Sequence, residues 1–154
     1  MNLPMIDINY SGKVDMHDIS IDSIARMAID AAIAGTKVET QDDAELSLMI
    51  CDDSTIQELN SKWRNKNKPT NVLSFPGEED GALLGDIVVS MDTVRREAGL
   101  ENKPVENHLI HLIVHGFLHL FGYDHETEDE ALKMESLETL ILGELGIADP
   151  YENA

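Results

Sequence analysis

Five of the chain's six histidines fall within residues 108–125: His108, His111, His115, His119 and His125. The first four are separated by 3, 4 and 4 positions, so they lie along one face of a helix. One ion cannot take them all. At about 1.5 Å of rise per residue, His108 and His119 stand roughly 16 Å apart along the axis, against a zinc–nitrogen bond of about 2 Å. The His115/His119 pair has a feature that the others lack. Gly122 follows His119 by 3 residues and ends the helix, and Tyr123-Asp124 lead to His125, which folds back over the same face. Three neutral imidazoles leave a fourth tetrahedral position for water, the open arrangement of catalytic zinc. Such a site lowers the pKa of the bound water to about 7. One Zn2+ per chain, on His115, His119 and His125, is the expectation. His108 and His111 have no third partner, and read as rim groups or as hydrogen-bond partners of the ligands, with a proton-carrying role open to one of them.

Metzincin proteases share this ligand spacing, H-E-x-x-H-x-x-G-x-x-H, with the glutamate as general base. Here that position is Gly116. Without a carboxylate there, peptide hydrolysis lacks its proton acceptor.

A second cluster carries charge. Residues 61–70, SKWRNKNKPT, hold Lys62, Arg64, Lys66 and Lys68 and no acid. The rest of the chain has 7 basic and 30 acidic residues, so a +4 decapeptide is set in a −23 background. Taken alone, the cluster is either a solvated helix end or a landing site for a phosphate backbone, with Trp63 available to stack on a base.

These groups need a scaffold. Alternation over Ile6–Tyr10 predicts a half-exposed strand. Ile21, Ile24, Ala25, Ala28, Ile29, Ala32 and Ile33 recur at helical spacing, with Ser20 or Asp22 to start the helix and Gly35 to end it. Leu46–Cys51 reads as a buried strand. Asp53 or Ser54 starts a helix that ends near Trp63, and Asn71–Phe75 is a third strand, stopped by Pro76-Gly77. Glu78–Gly81 is an acidic loop, Ile87–Met91 a fourth strand, and Asp92 caps a short helix through Ala98. Pro104 opens a helix that runs to about Phe121. A last helix, Thr127 to Leu145, turns Leu132, Leu137, Leu140, Ile141 and Leu145 to one side and its glutamates to the other, where they face solvent or a basic partner. The sum is a single α+β or three-layer domain, residues 1–154, around four strands whose order does not follow from the sequence.

Composition bounds the function. The chain has 154 residues, 42% of them apolar and 27% charged, with a net charge of −19. That excludes wholesale disorder and argues against indiscriminate binding to nucleic acid or to an anionic membrane. No apolar run approaches the roughly 18 residues of a membrane span, and Met1 to Tyr10 carry no secretory signal pattern. The one cysteine, Cys51, fits a reducing cytoplasm.

Several segments together resemble the YbeY-type endoribonucleases, the rRNA maturation factors. They are Leu59-Asn60 with Trp63-Arg64, the run Lys68–Pro76, Leu84-Gly85-Asp86-Ile87, His115–His125, and Met134-Glu135-x-Leu137-Glu138. The likeness spans roughly residues 45–150. It implies a zinc-dependent, single-strand-specific endoribonuclease that matures the 3′ end of 16S rRNA and serves ribosome quality control in the cytoplasm. The partners it implies are RNA and the ribosome or ribosomal proteins, with neither membrane nor DNA. It also implies a mixed four-stranded sheet flanked by about five helices, with the metal in a cleft at the end of a central helix. His115, His119 and His125 fall on the family's zinc ligands, and Arg64 on its functional arginine. Arg64 and His115 are thus the expected catalytic groups, and Lys62, Trp63, Arg64, Lys66 and Lys68 the expected RNA contacts. Asn65 and Asn67 stand where many relatives carry Gly and Asp. The attacking group is left open between a metal-held hydroxide and the RNA's own 2′-OH. Two other readings also stay open: a non-catalytic assembly factor, and a metal hydrolase of another substrate.

Overall fold

The computed structural model describes residues 3–78 and 81–151; Glu79 and Asp80 of the expected acidic loop lie outside them. The chain runs β1 (Met5–Ser11), α1 (Ile21–Thr36), β2 (Glu45–Cys51), α2 (Asp53–Arg64), β3 (Val72–Pro76), β4 (Leu83–Ser90), α3 (Met91–Leu100), α4 (Val105–Leu120) and α5 (Glu128–Glu144). The four strands form one mixed sheet in the order β1-β2-β4-β3. β1, β2 and β4 are parallel, and β3 lies antiparallel to β4 at the edge. β2 and β4 are neighbours although α2 and β3 lie between them in sequence, which is why alternation alone could not order the strands.

One sheet face carries the main core. Leu46, Leu48 and Ile50 alternate inward from β2, and with Ile87 and Val89 of β4 they pack against α1 and α4. From Leu109 on, α4 is buried almost all round, through Leu109, Ile110, Leu112, Ile113, Val114, Phe117 and Leu118, and the His111, His115, His119 stripe with Leu120 reaches partial exposure. On the other face Cys51, Ile56, Leu73 and Val88 form a smaller cluster under α2. Burial pushes the Cys51 thiol up to about 12, so this cysteine is packing rather than chemistry.

Several ends differ from expectation. α1 continues through Gly35 and closes on Lys37, which takes the left-handed conformation at φ 58°. Asp52, not Asp53, caps α2, its carboxylate accepting the Thr55 N–H. Asp92 accepts the Asp53 N–H instead of capping α3. In α5, Leu132 and Leu140 are exposed, and the buried positions are Met134, Glu138, Ile141 and Leu142. That is an i, i+4, i+7, i+8 stripe with a carboxylate inside it.

Candidate metal and RNA site

The end of α4 builds the site. The Tyr123 N–H bonds the Leu118 carbonyl and the Gly122 N–H bonds that of His119, each at 3.1 Å, with Gly122 at φ 89°. These are the two bonds of a Schellman motif, and the positive φ is why glycine stands there. The chain reverses, and Asp124 fixes the turn by accepting the His125 N–H at 2.8 Å. His125 thereby lies over the last turn of α4. Its ring centroid is 5.8 Å from that of His115 and 5.1 Å from that of His119. The Nε2 atoms of His115 and His119 are 3.1 Å apart, and one ring nitrogen from each of the three falls within 4.8 Å of the others.

Protonation chemistry suits a cation here. Burial, and then the neighbouring His115 and His125, push the His119 pKa down and favour its unprotonated, ligating form. His115 Nδ1 is engaged by Glu138 Oε1 at 2.7 Å, which leaves Nε2, 3.1 Å from that of His119, as its ligating nitrogen. Three imidazole nitrogens converging from one side match the donor set of an open zinc site.

Glu138 is the group that sequence reasoning missed. It is fully buried and also contacts His111 Nε2 at 2.7 Å and the Tyr151 hydroxyl at 2.6 Å. Burial alone would raise its carboxyl pKa; hydrogen bonds from His111 and His115 outweigh that and hold it at about 2. His108 departs from the expected rim position. It is buried at the α3–α4 contact with its Nε2 2.8 Å from Glu97, and burial lowers its pKa.

The histidines share a cleft of about 610 Å³ with Arg64, Lys66, Lys68, Asn71, Asp124 and Glu126. Arg64 ends α2 and donates to the Ser74 carbonyl at 2.7 Å, with its guanidinium 4.8 Å from the centre of the Phe75 ring. Asn65 next to it is left-handed at φ 58°, a conformation glycine takes freely and asparagine tolerates. Asn67 accepts from the Gln57 amide at 3.1 Å, and buried Asn60 donates to the Lys68 carbonyl at 2.9 Å. The loop is therefore pinned with its cations toward the cleft. Lys62 and Trp63 are not among its lining residues. Trp63 lies on a shelf with Met49, Leu59 and Phe75, on the sheet face away from α4, and Lys62 sits 5.0 Å over its ring. The side chains on β3 explain the split: Ser74 Oγ donates to the Gly116 carbonyl of α4 at 2.8 Å, and Leu73 and Phe75 turn to the α2 side.

The family described as "Endoribonuclease YbeY" matches residues 8–146. The chain belongs to the YbeY endoribonuclease family. A relative of that name from Sinorhizobium fredii is 58% identical over 116 residues, covering 71% of this chain and 67% of its own. One from Rhodopseudomonas palustris is 51% identical, covering 84% and 80%. One from Bradyrhizobium diazoefficiens is 46% identical, covering 97% and 86%. A solution structure of a Thermotoga maritima protein has the same fold, with a TM-score of 0.56 at 25% identity over 97% of this chain and all of that one. In this chain His115, His119 and His125 line one cleft together with Arg64, Lys66, Lys68 and Thr70.

Proposed function

We propose that this chain is a zinc-dependent endoribonuclease that cuts single-stranded RNA, with small-subunit rRNA near its 3′ end as the substrate and the ribosome as the setting. The observation that carries the reading is that Arg64, Lys66 and Lys68 line the same cleft as His115, His119 and His125. It is supported by family membership and by the names of the relatives. Cytoplasmic work and a contribution to ribosome quality control belong to the same reading. No helix among the described residues is long and apolar enough to cross a membrane.

In this account His115, His119 and His125 hold the ion through ring nitrogens. When bound, zinc supplies Lewis-acid polarisation of a phosphoryl oxygen and activation of water. The chain's own cations do the rest. Arg64 offers a planar fork of N–H donors that grips a phosphate bidentately and stabilises charge developing on its oxygens. Lys66 and Lys68 extend the positive wall along the backbone of the strand. Trp63, on the far side of β3, is placed for a flanking base and not for the scissile nucleotide, with Lys62 beside it. The −23 background repels RNA that lacks these local contacts.

Metal analysis together with an RNase assay on wild type and His115→Ala tests this reading. Loss of both bound zinc and cleavage of single-stranded RNA is expected. Bound zinc with undiminished cleavage in the variant would point to a non-catalytic assembly factor and a contaminating nuclease.

A further inference from the structure

We infer that Glu138 and Tyr151 are positioning residues of the metal site: Glu138 fixes the His115 ring and its proton, and Tyr151 fixes Glu138. The inference rests on the reading that His115, His119 and His125 hold a metal.

A fully buried carboxylate in the middle of α5 is costly unless its lone pairs are satisfied. Glu138 meets that condition with three donors. Oε1 accepts from His115 Nδ1 at 2.7 Å, and Oε2 accepts from His111 Nε2 at 2.7 Å and from the Tyr151 hydroxyl at 2.6 Å. A carboxylate that accepts a hydrogen bond from Nδ1–H holds the proton on that nitrogen and leaves the Nε2 lone pair as the only ligating one. Nε2 is the atom that lies 3.1 Å from His119 Nε2. Glu138 therefore sets both the tautomer and the direction of His115, the part that a hydrogen-bonded carboxylate plays behind a ligating histidine.

Tyr151 completes the arrangement from outside α5. Asp149 accepts from the Thr139 hydroxyl at 3.0 Å and from the Tyr151 N–H at 2.8 Å, and so folds the segment after α5 back along that helix. The Tyr151 ring then meets the His111 ring edge-on, with centroids 5.8 Å apart at 87°, and its hydroxyl closes the second oxygen of Glu138. His111, His115 and Glu138 are also close enough to hold an ion among themselves, with donor atoms within 4.8 Å of one another. The Tyr151 hydroxyl and the two ring N–H groups already occupy that carboxylate, which argues for a hydrogen-bonded support and against a second metal.

The test compares wild type, Glu138→Gln and Tyr151→Phe. Zinc affinity is measured by competition with a chromophoric chelator, Co2+ absorption reports the ligand field, and thermal unfolding is followed without metal. Glutamine brings an N–H where His115 or His111 donates, so one ring must flip its tautomer. Zinc affinity should fall 10- to 100-fold in Glu138→Gln, as for other losses behind a ligating histidine, and by a smaller factor in Tyr151→Phe. In both, the Co2+ bands should shift while one zinc per chain is kept. If Glu138→Gln does not fold, Tyr151→Phe decides alone, with the unfolding temperature of its metal-free form close to wild type. Wild-type affinity and unshifted bands in the folded variants would overturn this inference and leave the three-histidine site standing. Two zinc ions per wild-type chain would overturn it as well, since Glu138 would then be a ligand. A wild type that takes up neither zinc nor Co2+ would overturn the metal reading itself.

Discussion

Arg64 Nη2 donates to the main-chain carbonyl of Ser74 at 2.7 Å, so the last residue of α2 is tied to the edge strand of the sheet. The Ser74 side chain in turn reaches Gly116 on α4 at 2.8 Å. One strand residue thus links the cationic loop to the helix that bears the histidines. The guanidinium also rests on the Phe75 face, which orients its plane without consuming its charge.

Arg64→Ala should lower RNA cleavage by a factor on the order of 10²–10³ or more, the range for losing one donor to a developing oxyanion. Zinc content should stay at the wild-type level, because Arg64 hydrogen-bonds the Ser74 and Trp63 carbonyls and rests on Phe75. Arg64→Lys should restore little, since a point charge lacks the planar fork. Zinc loss in Arg64→Ala, read by metal analysis, would make the arginine structural.

Gly116 stands where metzincins carry their glutamate, and the packing shows why a side chain is refused. A Cβ there would meet Ile87 Cγ2 at 2.9 Å and Ser74 Oγ at 3.1 Å. Gly116→Glu should destabilise the fold by about 1–3 kcal/mol or more, as overpacking does, and should create no peptidase. Thermal unfolding and a peptide-cleavage assay check both halves.

Asp52 caps α2, the helix that delivers Arg64, and its pKa is lowered to about 2 by hydrogen bonds from the Thr55 side chain and from main-chain N–H groups of Lys13 and Thr55. A depressed carboxylate contributes stability above its unfolded pKa of about 4, and that contribution is lost as pH falls toward 2. Asp52→Asn should therefore lower the unfolding temperature at pH 7, and its difference from wild type should shrink between pH 4 and pH 2. A gap that does not change with pH would assign the effect to packing, for instance against Gly12, where an added Cβ would collide with the Asp52 carboxylate.

The metal candidates were legible because helix geometry is local. An i, i+4 histidine pair, a glycine that ends the helix and a third histidine 3 residues beyond it specify convergence without any knowledge of the fold. The strands were legible by alternation and their order was not, since the β2–β4 pairing is fixed by what α2 and β3 do between them. Glu138 was hidden by the rule that helix glutamates face water. The tertiary approach of α4 overrides that rule, and the visible trace was its place in the Met134, Glu138, Ile141, Leu142 stripe. Trp63 and Lys62 group with Arg64 in the sequence because they are adjacent to it. They part from it because β3 runs between the cleft and the aromatic shelf.

Metal withdrawal and return test the central claim most directly. The protein would be stripped with a chelator, verified as metal-free, and titrated with zinc while cleavage of a single-stranded RNA is followed. Cleavage should be absent without metal and recover fully at one zinc per chain, with no recovery in His119→Ala. Undiminished cleavage by verified metal-free protein would contradict it.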